Sequence, residues 1–556
     1  MKNIKYILIS LLTIVGCDSE FLEEVHPTRE TADVFFTKDA DAEQAAISLY
    51  EKMSHGGIGP YGAQMDGYMS SFDELRGDNL TLPKNFNNNA IVTWLTLNYN
   101  AETDAVRDAW RHNYEVIYRA NWIIDNVADN ENISQDVRNK TLAEAYFMRG
   151  NSYFTLTRYF QSVPLVLNAT TADTYYPEKA SNEESWNQVF SDFQQALDLG
   201  GRGNPTPDYM DGRVNTGVIH AMMARAYLYR TRPGSNQYWD KVKEHTLAVE
   251  NLNVYELEPM EEFSSLFVYT KEDKWVKNSE VIWGAGFIYG PIYGGLPFMY
   301  INRSFLGVAT MPVGYATTIV RNEAGDPYLI ANGRTGRSRF ALSPELSDIM
   351  IDYYEEGDKR STEFLYYPSF NNYDLATPGD NTSVELVETV NSDSLYQKIK
   401  ETGGAEGEYI HLRKFQLKEF IGENIWDGGW NHSLIYPIIR FADVLLMRAE
   451  AEFHLGNEGV AREYLKRVTD RAGFEESYVN QFSGPALVDE ILQQRRVELV
   501  FESQRVPDLI RLDEFNPPNV GTYPGSAPFD EKLMTLPIPR RELDLNKNLV
   551  QSEAWR

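Results

Sequence analysis

Blocks of small and aromatic residues at helical spacing constrain this chain more than anything else in it. In DAEQAAISLYEKM, the residues Ala42, Ala45, Ala46, Leu49 and Met53 share one face, which is the three-and-four spacing of an amphipathic helix. This segment predicts a first helix starting near Asp39. In TLAEAYFMRGNSYFTLTRYF, Leu142, Tyr146, Tyr153, Leu156 and Phe160 form a stripe, and Ala143 and Ala145 let a neighbouring helix come close. The segment reads as paired helices rather than one long one. The same design recurs in WNQVFSDFQQALDL from Trp186, VIHAMMARAYLYR from Val218, DVLLMRAEAEFHLG from Asp443 and VAREYLKRVTDRAG from Val460. A chain built this way folds as mainly α.

Small residues facing aromatics across antiparallel pairs resemble degenerate tetratricopeptide repeats, although no block carries the full repeat signature. A plain helical bundle is the alternative. Between about Tyr255 and Trp430 the pattern breaks into Gly-, Pro- and aromatic-rich sequence such as GAGFIYGPIYGGLPFMYINRSF, which makes irregular loops and short strands. The expected organisation is one domain: an N-terminal helical part over 39–254, a loop-rich aromatic insert over 255–436, and a C-terminal helical part over 437–556.

The N-terminus predicts a different fate for residues 1–38. Lys2 and Lys5 precede an apolar run from Tyr6 to Val15, the order of a secretory signal. The run is too short to span a bilayer core of ~30 Å. Ile14-Val15-Gly16-Cys17 resembles the bacterial lipobox, with Ile14 where Leu is commoner. This resemblance implies a signal over 1–16, removed after a diacylglycerol is placed on Cys17, and several acyl chains together make a stable anchor. Residues 17–38, with Asp18, Glu20, Glu23 and Glu24, read as a lipidated tether. Cys17 is the one cysteine of the chain, so stability must come from the core rather than from disulfides.

A formal net charge of −29 repels nucleic acid and anionic lipid headgroups and favours neutral or cationic ligands. The 34 Tyr and 10 Trp suit the apolar faces of sugars, while the bland alternative for any one ring is the core. No HExxH, GxSxG, P-loop or CxxC occurs, and the eight histidines are scattered singly. Those absences remove the common zinc-protease, serine-hydrolase and nucleotide-binding readings. No catalytic residue, metal site or cofactor is assigned. A glycosidase needs only two carboxylates across a sugar bond, and the acidic residues of this chain leave that alternative open.

Several segments together resemble the SusD/RagB family of outer-membrane glycan-binding lipoproteins. They are PIIRFADVLLMRAEAEFHLGN from Pro437, ILQQRRVELVFESQRVPDLIRL from Ile491 and the closing TLPIPRRELDLNKNLVQSEAW, joined in the N-terminal half by WRHNYEVIYRANWIIDNV from Trp110 and AEAYFMRGNSYFTLTRYFQSVPLV. Gln493 to Arg495 and Ser503, which stands where Gly usually follows Phe-Glu, depart from the pattern at framework positions. The charges of these motifs, Arg440, Asp443, Glu450, Glu498, Arg505 and Arg511, read as structural ion pairs rather than a site.

The resemblance implies a SusD-like fold and non-catalytic capture of a polysaccharide or oligosaccharide at the cell surface. It also implies delivery to a SusC-like TonB-dependent transporter in the outer membrane. The alternatives are a lipid-anchored glycoside hydrolase or lyase, and a peptide-capturing member of the same family. Sugar stacking needs rings on loops, and three clusters qualify: Asp73, Arg76, Asp78 and Asn79 with Trp94; Trp283 with Tyr289, Tyr293, Phe298 and Tyr300; and Trp426 with Trp430.

Overall fold

The computed structural model describes residues 35–54, 70–81, 93–169, 176–206, 212–232, 237–267, 278–287, 318–321, 327–330, 341–360, 365–366, 411–412, 434–517 and 528–556. The N-terminal helices are α1 (Asp39–Ser54), α2 (Ser70–Leu75), α3 (Asp104–Val127), α4 (Gln135–Phe160), α5 (Asn182–Asp198), α6 (Thr216–Arg230) and α7 (Trp239–Glu250). Helix α8 (Pro344–Glu355) lies mid-chain, and α9 (Phe441–His454), α10 (Glu458–Ala472), α11 (Pro485–Glu498), α12 (Arg505–Arg511) and α13 (Arg540–Leu545) follow. The described strands are short: β1 (Leu80–Thr81), β2 (Val281–Phe287), β3 (Thr318–Arg321), β4 (Pro327–Ile330), β5 (Ala341–Leu342), β6 (Leu365–Tyr366), β7 (His411–Leu412) and β8 (Leu434–Arg440).

The chain is mainly α, and its helices stack in a row as tetratricopeptide-like pairs do. Helix α1 packs on α3 and α4, α3 on α4, α4 on α5, α5 on α6, and α6 on α7. The C-terminal block continues the row: α9 docks on α7, and α10 and α11 dock on α9. Local chemistry fixes the starts and stops. Ser181 and Glu184 form a reciprocal capping box at α5, Asn215 caps α6 through the Val218 N–H, and α10 stops at Gly473 in a left-handed conformation.

The segment around Gly150 departs from the paired-helix expectation, because α4 runs unbroken for 26 residues. Gly150 sits inside it as a notch for α5: a Cβ there would lie 3.0 Å from Asp192 Cβ and 3.0 Å from Phe193 Cδ1. The glycine serves close packing rather than termination. The segment expected to hold loops and short strands also contains α8. Ser343 caps it through the Leu346 N–H, and Pro344 opens it with a preset φ.

All described sheets are two-stranded and antiparallel: β1 with β5, β2 with β8, β3 with β4, and β6 with β7. The longest is the β2–β8 ribbon, which pairs Val281 with Arg440 at one end and Phe287 with Leu434 at the other. Its register shifts on both sides of Trp283, a bulge that turns this side chain relative to the strand. No described helix is long and apolar enough to cross a membrane.

Candidate functional site

The structure corrects the assignment of six candidate residues. Trp94 is 3% exposed and packs against Tyr99 at 5.3 Å. Trp283 is 1% exposed, lies edge-on to Phe147 at 5.2 Å, and donates its Nε1–H to the Gly212 carbonyl at 3.2 Å. Rings enclosed to this degree present no face to a sugar. The bulge in β2 and the small Gly284 beside Trp283 deliver that side chain to the helical frame.

The polar members of the first cluster are framework too. Asp73 accepts from Arg158 at 2.7 Å and from Tyr159 at 2.8 Å. Arg76 donates to the Leu533 carbonyl at 2.5 Å and lies over the Tyr99 and Phe515 rings. Asp78 takes a two-pronged contact from Arg505 at 2.7 and 2.6 Å, and Asn79 accepts from Arg496 at 2.8 Å. The signal for this was present in the sequence: an Arg-rich C-terminal helix that packs inside must find acceptors elsewhere, and FDELRGDN supplies them. Tyr289, Tyr293, Phe298, Tyr300, Trp426 and Trp430 lie outside the described residues.

What the framework charges build is a set of buried ion clusters. Arg440 contacts Glu280 at 2.5 Å, Glu498 at 2.6 Å and Glu502 at 2.8 Å, with all four side chains buried. Arg471 joins the same Glu280 and Glu498, and Arg360 reaches Glu498 at 3.0 Å and Asp358 at 2.7 Å. Burial alone would push the Arg440 guanidinium down. The carboxylates of Glu502, Glu498 and Glu280 outweigh it and hold the guanidinium well above its usual range.

A second chain of pairs runs from Arg225 through Asp443, Arg495, Asp508 and Arg511 to Glu450. Burial would raise the Asp443 carboxyl, but Arg495 and Arg225 on either side pull it below the usual range. The expected ion pairs of Arg440, Asp443, Glu450, Glu498, Arg505 and Arg511 are all formed. Their partners Glu280, Arg360 and Arg471 were not singled out by sequence: Glu280 lies 160 residues from Arg440, and Arg360 and Arg471 lie 138 and 27 residues from Glu498.

Glu490 is an enclosed acid held by neutral donors rather than by a guanidinium. Burial raises its carboxyl, against donors from Gln494, Tyr478 and Tyr353. Its oxygens accept from Tyr353 at 3.0 and 3.1 Å, Tyr478 at 2.9 Å and Gln494 at 2.8 Å. These bonds tie α8 to α11. Among the described residues no three His, Cys, Asp or Glu side chains converge as a metal site would require.

With this geometry in view, comparison with known proteins decides the lineage. A family model described as "SusD family" matches residues 308–555, and one described as "Starch-binding associating with outer membrane" matches residues 35–228. The chain belongs to the SusD/RagB family. A SusD-like protein of Formosa agariphila is 23% identical over 99% of both chains. Two solved structures share the fold. A laminarin-binding SusD-like protein aligns with TM-score 0.65 and 21% identity over 93% of this chain and 100% of its own. Surface glycan-binding protein A from Bacteroides uniformis aligns with TM-score 0.65 and 19% identity over the same shares.

Proposed function

We propose that this SusD-like protein captures a neutral polysaccharide or oligosaccharide without cleaving it and passes it to a TonB-dependent transporter. Carbohydrate capture is what the family and the glycan-binding names of its structural neighbours support. Cys17 carries the lipid anchor in this reading, and the outer membrane is the surface it occupies, in keeping with the description of the family. The net charge of −29 favours neutral chains over polyanionic ones, since a like-signed ligand is repelled at approach and at contact.

The observation that carries the choice of rings is the β2–β8 ribbon. Phe287 pairs with Leu434, so the chain leading to Tyr289 and the chain arriving from Trp430 join the ribbon at the same end. We assign glycan stacking to Tyr289, Tyr293, Phe298, Tyr300, Trp426 and Trp430. Each Trp face that covers a sugar ring contributes on the order of 1 kcal/mol of apolar burial, or roughly fivefold in Kd.

Affinity electrophoresis in starch, laminarin, xylan and alginate, with reducing ends assayed in parallel, tests the reading. Retardation by a neutral glycan without released sugar is expected, together with a roughly fivefold weaker Kd for Trp426→Ala and for Trp430→Ala. New reducing ends would overturn the non-catalytic assignment. Unchanged binding in both variants would overturn the assignment of the rings.

A further inference from the structure

We propose that the exposed side of α3, with Tyr118 as its platform and Tyr176 beside it, is a second stacking site for the neutral glycan, separate from the rings of the insert. This rests on the capture reading above. Among the described residues, Tyr118 and Tyr176 are the aromatic side chains left exposed, at 57% and 52%. Every other described ring is buried or half-buried.

The spacing that presents Tyr118 is regular. Trp110, Tyr114, Tyr118 and Trp122 recur every four residues along α3, so successive rings rise by about 6 Å and drift around the helix by about 40°. The fold uses both ends of this ladder. Trp110 is buried, with the Tyr114 ring at 5.0 Å and the Phe160 ring at 4.9 Å, and Trp122 packs against Phe35 at 5.4 Å and Phe36 at 4.6 Å. Tyr114 donates its hydroxyl to the Pro164 carbonyl at 2.7 Å. Tyr118, between them, has no ring, guanidinium or hydrogen-bond partner among the described residues. Its face and its hydroxyl are both open to a ligand.

Tyr176 adjoins this rung across one segment of chain. Residues 164–169 run along α3: Asn121 donates to the Val166 and Asn168 carbonyls at 2.8 and 3.1 Å, and Asp125 accepts from the Ala169 N–H at 2.7 Å. Tyr118 falls between Tyr114 and Asn121, the two residues that hold this segment. Pro164 in turn bridges Lys179, which brings the chain of Tyr176 alongside, and Asn548 fastens it by donating to the Tyr176 carbonyl at 2.8 Å.

Charge and shape select the ligand. The ions flanking Tyr118 are paired off, Glu115 with Lys52 and Arg111, and Arg119 with Glu51 at 2.8 Å. On a chain of net charge −29 this is a locally neutral setting, with Asn168 exposed on the adjoining segment. A sugar presents an apolar face rimmed by hydroxyls, which a Tyr ring, its hydroxyl and an amide match. Anchors for a protein partner sit in packed, desolvated pockets instead, and two rings exposed by more than half form no such pocket. A polymer that engages the insert and this face together is held at two points, which raises retention without strengthening either contact.

Affinity electrophoresis in whichever of starch, laminarin and xylan most retards the wild type tests this, with Tyr118→Ala, Tyr176→Ala and Tyr118→Phe. Leu247→Ala, which trims an exposed side chain on α7, is the control. All four changes lie at the surface, and far-UV circular dichroism checks that each variant is folded. We expect Kd to rise roughly fivefold in Tyr118→Ala and in Tyr176→Ala, the value of one ring face on a sugar. Tyr118→Phe keeps the ring and is expected to bind nearer the wild type than Tyr118→Ala does, and Leu247→Ala to match the wild type. Unchanged retardation in both alanine variants overturns this site alone, whether the face then proves bare or covered by a protein partner. Failure of every neutral glycan to retard the wild type overturns the capture reading and this site with it.

Discussion

Acidification strips stability from this fold through His245 on α7, and the amount follows from its surroundings. The side chain is 4% exposed, its ring lies 5.6 Å from that of Tyr227 with planes 8° apart, and its Nδ1 is 3.0 Å from Nδ1 of His220 on α6. At that separation one nitrogen donates and the other accepts, so N–H groups on both would oppose each other. Burial first, then the charge of a protonated His220, push His245 down to about 4, with Lys241 adding to the shift and Glu244 opposing it. In the unfolded chain the imidazole takes its proton near 6.5. Stability from this group is therefore complete above pH 6.5 and falls by about 1.4 kcal/mol per unit as pH drops toward 4, about 2–3 kcal/mol by pH 4.5. Carboxyls raised by burial, Glu490 among them, act in the opposite sense, so the informative comparison is between the wild type and His245→Phe. The variant keeps a ring against Tyr227 and removes the titration. Urea unfolding followed by far-UV circular dichroism at pH 7.5 and 4.5 is the assay, and the acid loss is expected to be about 2–3 kcal/mol smaller in the variant. Parallel losses in the two proteins would refute the assignment.

Two further outcomes follow from the buried charges and a strained turn at Ser503. Asp443→Asn leaves the guanidiniums of Arg225 and Arg495 facing a neutral amide and is expected to cost about 3–5 kcal/mol in urea unfolding; a loss below about 1 kcal/mol would show that the pairs are not coupled through Asp443. Ser503→Gly relieves a left-handed residue at φ 62° and is expected to raise stability by about 0.5–1 kcal/mol, the relief exceeding the extra freedom glycine has when unfolded. A lowered urea midpoint would mean that the serine side chain itself holds the turn.

The helical frame was legible because burial in a stacked array forces the apolar positions to recur at three and four residues, and α1, α5, α6, α9 and α10 fall where that recurrence lies. Helix α8 carries the Ser343-Pro344 start and Leu346, Ile349, Met350 and Tyr353 at helical spacing, but it is short and acidic and stands inside Gly-, Pro- and aromatic-rich sequence with no sustained period. The rings were harder. Trp283 and Tyr289 stand in one Gly-rich stretch with nothing local to separate them, and the bulge that commits Trp283 to Phe147 depends on β8, some 150 residues away by register with Pro437 and Ile439. Asp73 to Asn79 read as hydroxyl-binding groups because polar loop residues and acceptors for a distant Arg-rich helix look alike one segment at a time. What distinguishes them is that Arg496 of α11 and Arg505 of α12 find their acceptors in Asn79 and Asp78, 417 and 427 residues away, a pairing visible only when the whole chain is taken as one charge balance.

That balance explains why a core of this size contains so many ions. Buried pairs add little net stability over apolar packing of equal volume, since desolvation offsets most of the attraction. A row of helices with similar Ala, Leu and Tyr faces has a different difficulty, which is that one apolar face accepts several neighbours. The charge pairs discriminate among them. Asp443 on α9 satisfies Arg225 of α6 and Arg495 of α11 together, and a misdocked α9 would strand two buried guanidiniums. Glu43 of α1 and Glu144 of α4 share Arg202 and Arg213 in the same way at the other end of the row. Wrong dockings are penalised by uncompensated charge more than right ones are rewarded, which is the condition for a unique fold in a chain whose repeats resemble one another.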